Sequence, residues 1–275
     1  MSTLTATAKR LLTEARELTA PTNHPVLDRL RQAPGRIMVE AGLMPDAWQT
    51  GLLTSPSRRM LLLCSRQAGK STVAAALATL VALLRGRSLI LLLSPTQRQS
   101  GELFRKVLDL FNALGRPMPV ANESALRIEL SNASRIVALP GVEETVRCFS
   151  GVSLLVIDEA ARVPDDLYRA VRPMLAVSGG RLICLSTPFG KRGFFYDAWV
   201  SGGADWKRVE IPAAKVQRIS PEFLAEEQRS LGPRWFAQEY CCSFEEVVGA
   251  VFADADIQAA LDTDLQPMIL SGSKP

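Results

Sequence analysis

Three short stretches hold residue types that suit one chemistry, the handling of a nucleoside triphosphate. The first is LLLCSRQAGKST, Leu61 to Thr72, where an apolar run ends in Ser65-Arg66-Gln67-Ala68-Gly69-Lys70-Ser71-Thr72 and passes into the small-residue run Val73 to Leu84. A triphosphate tail needs backbone N–H groups turned inward at a helix N-terminus, a lysine spanning the outer phosphates and a hydroxyl that holds Mg²⁺. Gly69, Lys70 and Ser71 supply these in order. The common phosphate-loop spacing puts a glycine five residues before Gly69, and this chain has Cys64 there.

The second stretch is Val152 to Ile157, apolar enough for a strand buried on both faces, with Asp158-Glu159 at its end. Two carboxylates stay ionised there only beside a cation, for which Mg²⁺ is the natural choice. Asp158 then binds the metal while Glu159 orients and deprotonates the attacking water. The third stretch, Arg181 to Leu185, ends in Ser186-Thr187-Pro188. Small hydroxyls at such a strand end can hydrogen-bond the γ-phosphate or the catalytic water and so sense hydrolysis. Upstream, Trp48-Gln49 stands at a helix start some twenty residues before Lys70. An amide there can both donate to and accept from an adenine edge while the aromatic packs nearby.

These residues need elements that bring them to one edge. Strand and helix patterns alternate: Arg59 to Cys64, Lys70 to Leu84, Ser88 to Ser94, then Gln97 to Leu114 with Leu103, Val107, Leu110, Phe111 and Leu114 on one face. The alternation predicts an α/β fold, a mostly parallel sheet with helices on both faces, whose ligands bind at the carboxyl ends of the strands, where Thr96 and Gln97 also fall. Leu126 to Leu130 and Arg135 to Leu139 predict an inserted hairpin. Farther on come a helix through Trp199, a strand over Trp206 to Ile211, a helix over Pro221 to Leu231, and Trp235 to Tyr240. The expected organisation is a helical appendage over 1–44, beginning with a helix over Thr5 to Leu18, then a core over 45–204, its smaller C-terminal part over 205–255 and a tail over 256–275.

Composition narrows the function classes. With 275 residues, 47% apolar and 22% charged, the chain is an ordinary globular one rather than a disordered one. Its longest apolar run is short of a bilayer span, and its first residues lack the continuous apolar core and cleavage site of a secretory signal, so none is expected. One histidine, His24, and five cysteines without a C-x-x-C spacing argue against a zinc site or a histidine base. The net charge of +4 rests on 25 Arg against 7 Lys, in small groups such as Arg58-Arg59 and Lys191-Arg192 that read first as solvated surface.

Taken together, SRQAGKST, LLVIDEAARVP and LICLSTPFGKRGFFYDAW resemble the large terminase subunit of tailed bacteriophages, over about Asp46 to Phe252. The resemblance implies an additional-strand P-loop ATPase core that couples ATP hydrolysis, with Mg²⁺, to translocation of double-stranded DNA into a procapsid. It implies a small terminase subunit and the portal as partners, a homo-oligomeric ring, and the host cytoplasm as the place of action. Arg66 matches an arginine proposed in that family to stabilise charge on the transferred phosphoryl group, Arg147 is a second candidate, and Lys191 and Arg192 are candidate DNA contacts. Large terminases carry a second, nuclease domain near where this sequence stops, and Asp254, Asp256, Asp262 and Asp264 lack the further carboxylates of such a site, so nuclease activity is not expected from this chain. Two other readings stay open: a helicase-like ATPase, and a truncated prophage remnant acting only as a binding module.

Overall fold

Strands without a polar side have nowhere to go but the middle of a sheet covered on both faces. Four runs of this chain have that character: β1 (Arg59–Cys64), β2 (Leu89–Ser94), β6 (Leu154–Asp158) and β7 (Arg181–Ser186), each buried almost throughout. The computed structural model describes residues 24–140, 146 and 149–246. It places these four at the centre of an eight-stranded sheet of order β3-β4-β5-β2-β6-β7-β1-β8, completed by β3 (Val120–Ser124), β4 (Arg127–Leu130), β5 (Arg135–Pro140) and β8 (Lys207–Ile211). Only the β3–β4 and β4–β5 pairings are antiparallel.

Side chains alternate between faces along each strand, so every central strand feeds two cores. Leu62, Cys64, Ile90, Leu92, Val156 and Ile183 face a core shared with α1 (Pro25–Gln32), α4 (Lys70–Leu84) and α5 (Gln97–Ala113). Leu61, Leu63, Leu91, Leu93, Leu155 and Ile157 face the other, shared with α6 (Asp165–Val171) and α7 (Gly193–Ser201). Other α-helices among the described residues are α2 (Ile37–Glu40), α3 (Ala47–Thr54), α8 (Pro221–Leu231) and α9 (Pro233–Tyr240).

The strand order positions the site. Strand β7 lies between β1, which leads into the phosphate loop, and β6, which ends in the carboxylate pair, with Leu63 opposite Ser186 and Asp158 opposite Leu185. This is the additional-strand arrangement expected above. All three chemical stretches therefore emerge on one edge of the sheet.

Several elements fall where the sequence pattern puts them, among them β1, α4 and α8. The expected hairpin is present as β4 and β5, and β3 is added beyond it. Its residues VANES are mostly exposed, so it carries no apolar alternation by which to be read. Thr96 caps α5, its hydroxyl accepting from the Gln99 N–H at 3.3 Å. His24 serves as the N-cap of α1 and accepts from the Val26 N–H. Val26, Leu27, Leu30, Ile37 and Met38 are buried in the same core as α4. The expected helix over Thr5 to Leu18, Arg147, the four aspartates after Phe252 and the tail lie outside the described residues.

The turn into β7 is tight: a Cβ on Gly180 would stand 2.0 Å from the Val152 carbonyl oxygen and 2.9 Å from a Leu175 methyl. Backbone cannot yield as a flexible side chain can. Gly180→Ala is therefore expected to destabilise the fold by about 2 kcal/mol or more, read as a lower urea midpoint at unchanged m-value.

Candidate nucleotide site

The phosphate loop leaves β1 at Ser65, whose N–H donates to the Ile211 carbonyl of β8 at 2.9 Å. It reverses through two residues of positive φ, Gln67 at 57° and Gly69 at 89°, and α4 begins at Lys70. Gly69 is needed twice over, because its backbone is left-handed and an added Cβ would meet the Gln49 amide nitrogen at 2.7 Å. Ala68 is fully buried, Gln67 is exposed, and Ser71 and Thr72 are half-buried in the first turn of α4. Cys64 has no positive φ and still pairs as a strand residue with Ile211, so the position does not call for glycine. Its thiol is fully buried, and burial pushes its pKa far above the usual thiol range, which makes it a packing residue.

The charged groups then meet. Lys70 is 8% exposed; its Nζ lies 3.4 Å from the Ser65 carbonyl oxygen and 3.8 Å from Glu159 Oε1. The Ser71 hydroxyl donates to Asp158 Oδ2 at 2.8 Å, across 87 residues of sequence. Asp158 Oδ1 accepts from the Glu159 N–H at 3.1 Å. Glu159 adopts a left-handed backbone, φ 51° and ψ 42°, and this turns its side chain away from the line of β6. Burial raises the Glu159 carboxyl above its ordinary value, Lys70 opposes that rise, and Asp158 adds to it.

A hydroxyl and a carboxylate in contact at the mouth of a phosphate loop form a hard, all-oxygen donor pair, which is the chemistry Mg²⁺ takes when phosphates complete its shell. Ser71 and Asp158 thus fit the expected ion.

The third stretch closes the group. The Ser186 hydroxyl oxygen accepts from the Ala161 N–H at 3.1 Å, joining the end of β7 to the turn that follows Glu159. Thr187 and Pro188 are buried beside it. Arg162, which sequence reasoning missed, stacks its guanidinium over the Phe189 ring at 4.1 Å and brings Nε to 4.0 Å from Glu159 Oε2.

Five of the expected residues are engaged elsewhere. Arg66 is exposed; its Nε lies 3.0 Å from Glu239 Oε2 on α9, and its N–H donates to the Glu239 carbonyl at 2.8 Å. The Gln49 amide accepts from the Asp46 N–H at 2.8 Å and donates to the Gly69 carbonyl at 3.3 Å, so it braces the loop and caps α3. Trp48 packs half-buried against the α4 core beside a pocket of about 360 Å³ lined by Pro45, Glu210, Ile211, Lys215 and Gln217. Arg218, also unforeseen, joins this brace: one nitrogen lies 2.9 Å from Asp46 Oδ2 and another donates to the Ala68 carbonyl at 3.1 Å. No local signal marks Arg218 or Glu239, since each acquires its role by folding onto a distant segment; Arg162 lies three residues from Glu159, but its stacking on Phe189 depends on the fold. Lys191 pairs with Glu246 at 2.5 Å, and the Arg192 guanidinium stacks over Phe189 at 5.1 Å.

Comparison with known proteins gives one consistent result. Residues 61–259 match the family model described as terminase large subunit, T4likevirus-type, N-terminal. The chain is 26% identical over 201 residues to the terminase large subunit of Thermus virus P23-45, an alignment covering 66% of this chain and 41% of that protein. The corresponding protein of Thermus phage G20c is 25% identical over the same length. The chain thus spans about two fifths of the length of the curated relatives it matches. Among solved structures, the large terminase ATPase domain of Thermus phage P74-26 superposes with a TM-score of 0.68 at 21% identity, covering 76% of this chain and 97% of that one. The large terminase of another thermophilic bacteriophage, solved in complex with ADP, gives 0.60 at 14% identity over 72% of this chain and 53% of that one. The eight-stranded, mostly parallel α/β fold is that of these ATPase domains.

Gly69→Ala is expected to weaken binding of a fluorescent ADP analogue at least tenfold, about 1.4 kcal/mol or more. Gly51→Ala, where a Cβ meets nothing within 4 Å, is expected to leave that affinity unchanged.

Proposed function

The chain belongs to the terminase large subunit family through its N-terminal domain, and we propose that it is the ATP-hydrolysing part of a motor that drives double-stranded DNA into a procapsid. The observation that carries this reading is the meeting of the phosphate loop with the acidic strand: Ser71 on Asp158 at 2.8 Å, Lys70 at 3.8 Å from Glu159. Backbone N–H groups at the start of α4 and the Lys70 ammonium hold the β- and γ-phosphates. Ser71 and Asp158 would hold Mg²⁺, whose chemistry there would be positive charge set against the phosphates. Glu159 accepts the proton of the attacking water, and its raised pKa makes it a better base than a solvated carboxylate.

Arg66 leaves Glu239 to reach the phosphoryl group as negative charge spreads over it. The rear pocket beside Trp48 and Gln49 takes the adenine, Gln49 giving up one of its present contacts to read the base edge. Ser186, Thr187 and Pro188 report the state of the γ-phosphate through the Ser186 contact to Ala161. The partners in this reading are the DNA duplex, a small terminase subunit and the portal of a procapsid, met by a ring of copies in the host cytoplasm.

Glu159→Gln keeps the shape of the side chain and removes the base. ATP turnover is expected to fall by about 10²–10⁴ while fluorescent ADP analogue binding stays within a fewfold of the parent; equal, low turnover in both proteins would overturn the motor reading. A second expectation concerns pH. Glu159 must be ionised to act, and burial raises its pKa, so the acid limb of the kcat/KM profile is expected above the ordinary carboxylate value of about 4.3. Arg162 favours the ionised form, so Arg162→Ala is expected to move that limb to higher pH; movement to lower pH would contradict the geometry.

A further inference from the structure

The edge of the sheet opposite the nucleotide carries a second concentration of charge. Strands β1 and β7 begin there side by side, Arg59 opposite Leu182, beneath a pocket of about 530 Å³. Four arginines line it: Arg58 and Arg59 ahead of and at the start of β1, Arg169 in α6 and Arg172 just after it. Arg181, between the lining residues Gly180 and Leu182, adds a fifth; its Nε donates to the Ser57 carbonyl at 3.2 Å and its Nη2 is buried without a hydrogen-bond partner.

The counter-charge is thin. Arg59 lies 3.5 Å from Asp205, and Arg169 lies 3.1 Å from Asp166, both aspartates being more than four-fifths exposed. Among the described residues no carboxylate lies within 4 Å of the Arg58 or Arg172 guanidinium. Arg58 rests against Gly179, and Arg172 lies over the Tyr168 ring at 5.6 Å. Guanidinium groups gathered in this way match phosphate oxygens, which accept two parallel N–H bonds from one fork.

The shape of the site selects among phosphate-bearing ligands. A single-strand site offers aromatic faces on which bases stack. Here Tyr168, the ring that Arg172 lies over, is already stacked on Phe194 at 3.9 Å and an interplanar angle of 6°. No aromatic, Asn or Gln side chain lines the pocket. We propose that this arginine pocket contacts the phosphate backbone of double-stranded DNA without regard to sequence. The inference rests on the packaging reading and moves the main DNA contact away from Lys191 and Arg192, which are engaged with Glu246 and Phe189.

The test is fluorescence anisotropy of a labelled duplex of arbitrary sequence, titrated with the protein at several salt concentrations. Arg58→Ala/Arg172→Ala is expected to lose about tenfold in affinity and to flatten the slope of log K against log salt by about two phosphate contacts. Arg58→Lys/Arg172→Lys keeps the charges and is expected to retain the slope. DNA-independent ATPase activity of both double variants is expected to match the parent, because the two residues lie at the far end of β1 and β7 from the phosphate loop. Unchanged affinity and slope in the alanine variant, with a parent that binds the duplex, would overturn the pocket alone. A parent that fails to bind duplex DNA at low salt would overturn the packaging reading with it.

Discussion

A buried ammonium group must be matched, and the site is arranged around that requirement. Lys70 keeps 8% of its surface exposed, so water does little to solvate it. The Ser65 carbonyl and the Glu159 carboxylate take that role. For Glu159 to face Lys70, the chain after β6 must turn at once, and it does so by putting a non-glycine residue in the left-handed region, at a cost of about 1 kcal/mol. That turn leaves Asp158 pointing along the strand end, where it takes the Ser71 hydroxyl. One electrostatic demand thus separates two adjacent carboxylates into two different tasks.

The rear of the loop obeys a second demand. A loop that aims N–H groups inward at an anion turns carbonyls outward, and buried carbonyls need donors. Arg218 donates to the carbonyl of Ala68 and Gln49 to that of Gly69, while Asp46 holds both donors in place, Gln49 through its N–H and Arg218 through its carboxylate. The same logic explains why Gln49 is buried although it is polar. On the other side Arg66 is fastened to Glu239 through side chain and backbone together. The loop is therefore gripped by α3 from before it in sequence and by the 218–239 region from after it.

Much of this was legible in the sequence, and for identifiable reasons. Asp158, Glu159 and Ser186 sit at the ends of strands, and Lys70 and Ser71 in the helical turn just beyond one; the apolar runs of those strands leave no choice but the sheet centre, so edge and order follow from pattern. The resemblance to large terminases rested on the same stretches, and the family match over residues 61–259 bears it out. The uses of Arg218 and Glu239 were not legible, because each reaches the phosphate loop only when a distant segment folds back onto it, and for Arg162 the same holds of its stacking on Phe189. Strand β3 escaped for the opposite reason: backbone pairing at a sheet edge needs no apolar side chain to hold it. Cys64 looked like a departure from a phosphate-loop spacing, yet it is still a strand residue, so a glycine would add freedom where none is required.

In the proposed motor, the sheet itself would set limits on how hydrolysis is felt elsewhere. Strands buried on both faces cannot slip by one residue without turning every side chain to the wrong core, so β1, β6 and β7 move together or not at all. Any rearrangement on nucleotide exchange has to occur in what leaves the strand ends. Three contacts there are individually breakable: Arg66 with Glu239, Arg218 with Asp46, and Ser186 with the Ala161 N–H. The first two lie on partly exposed arginines, where water can replace either partner at small cost. The third is a hydrogen bond whose hydroxyl acceptor is fully buried, and opening it strands a polar group unless a phosphate or a water takes its place. In the proposed motor the Ser186 link would thus be the contact most sensitive to what occupies the site, and the two arginine contacts the ones that would yield most readily once it changes.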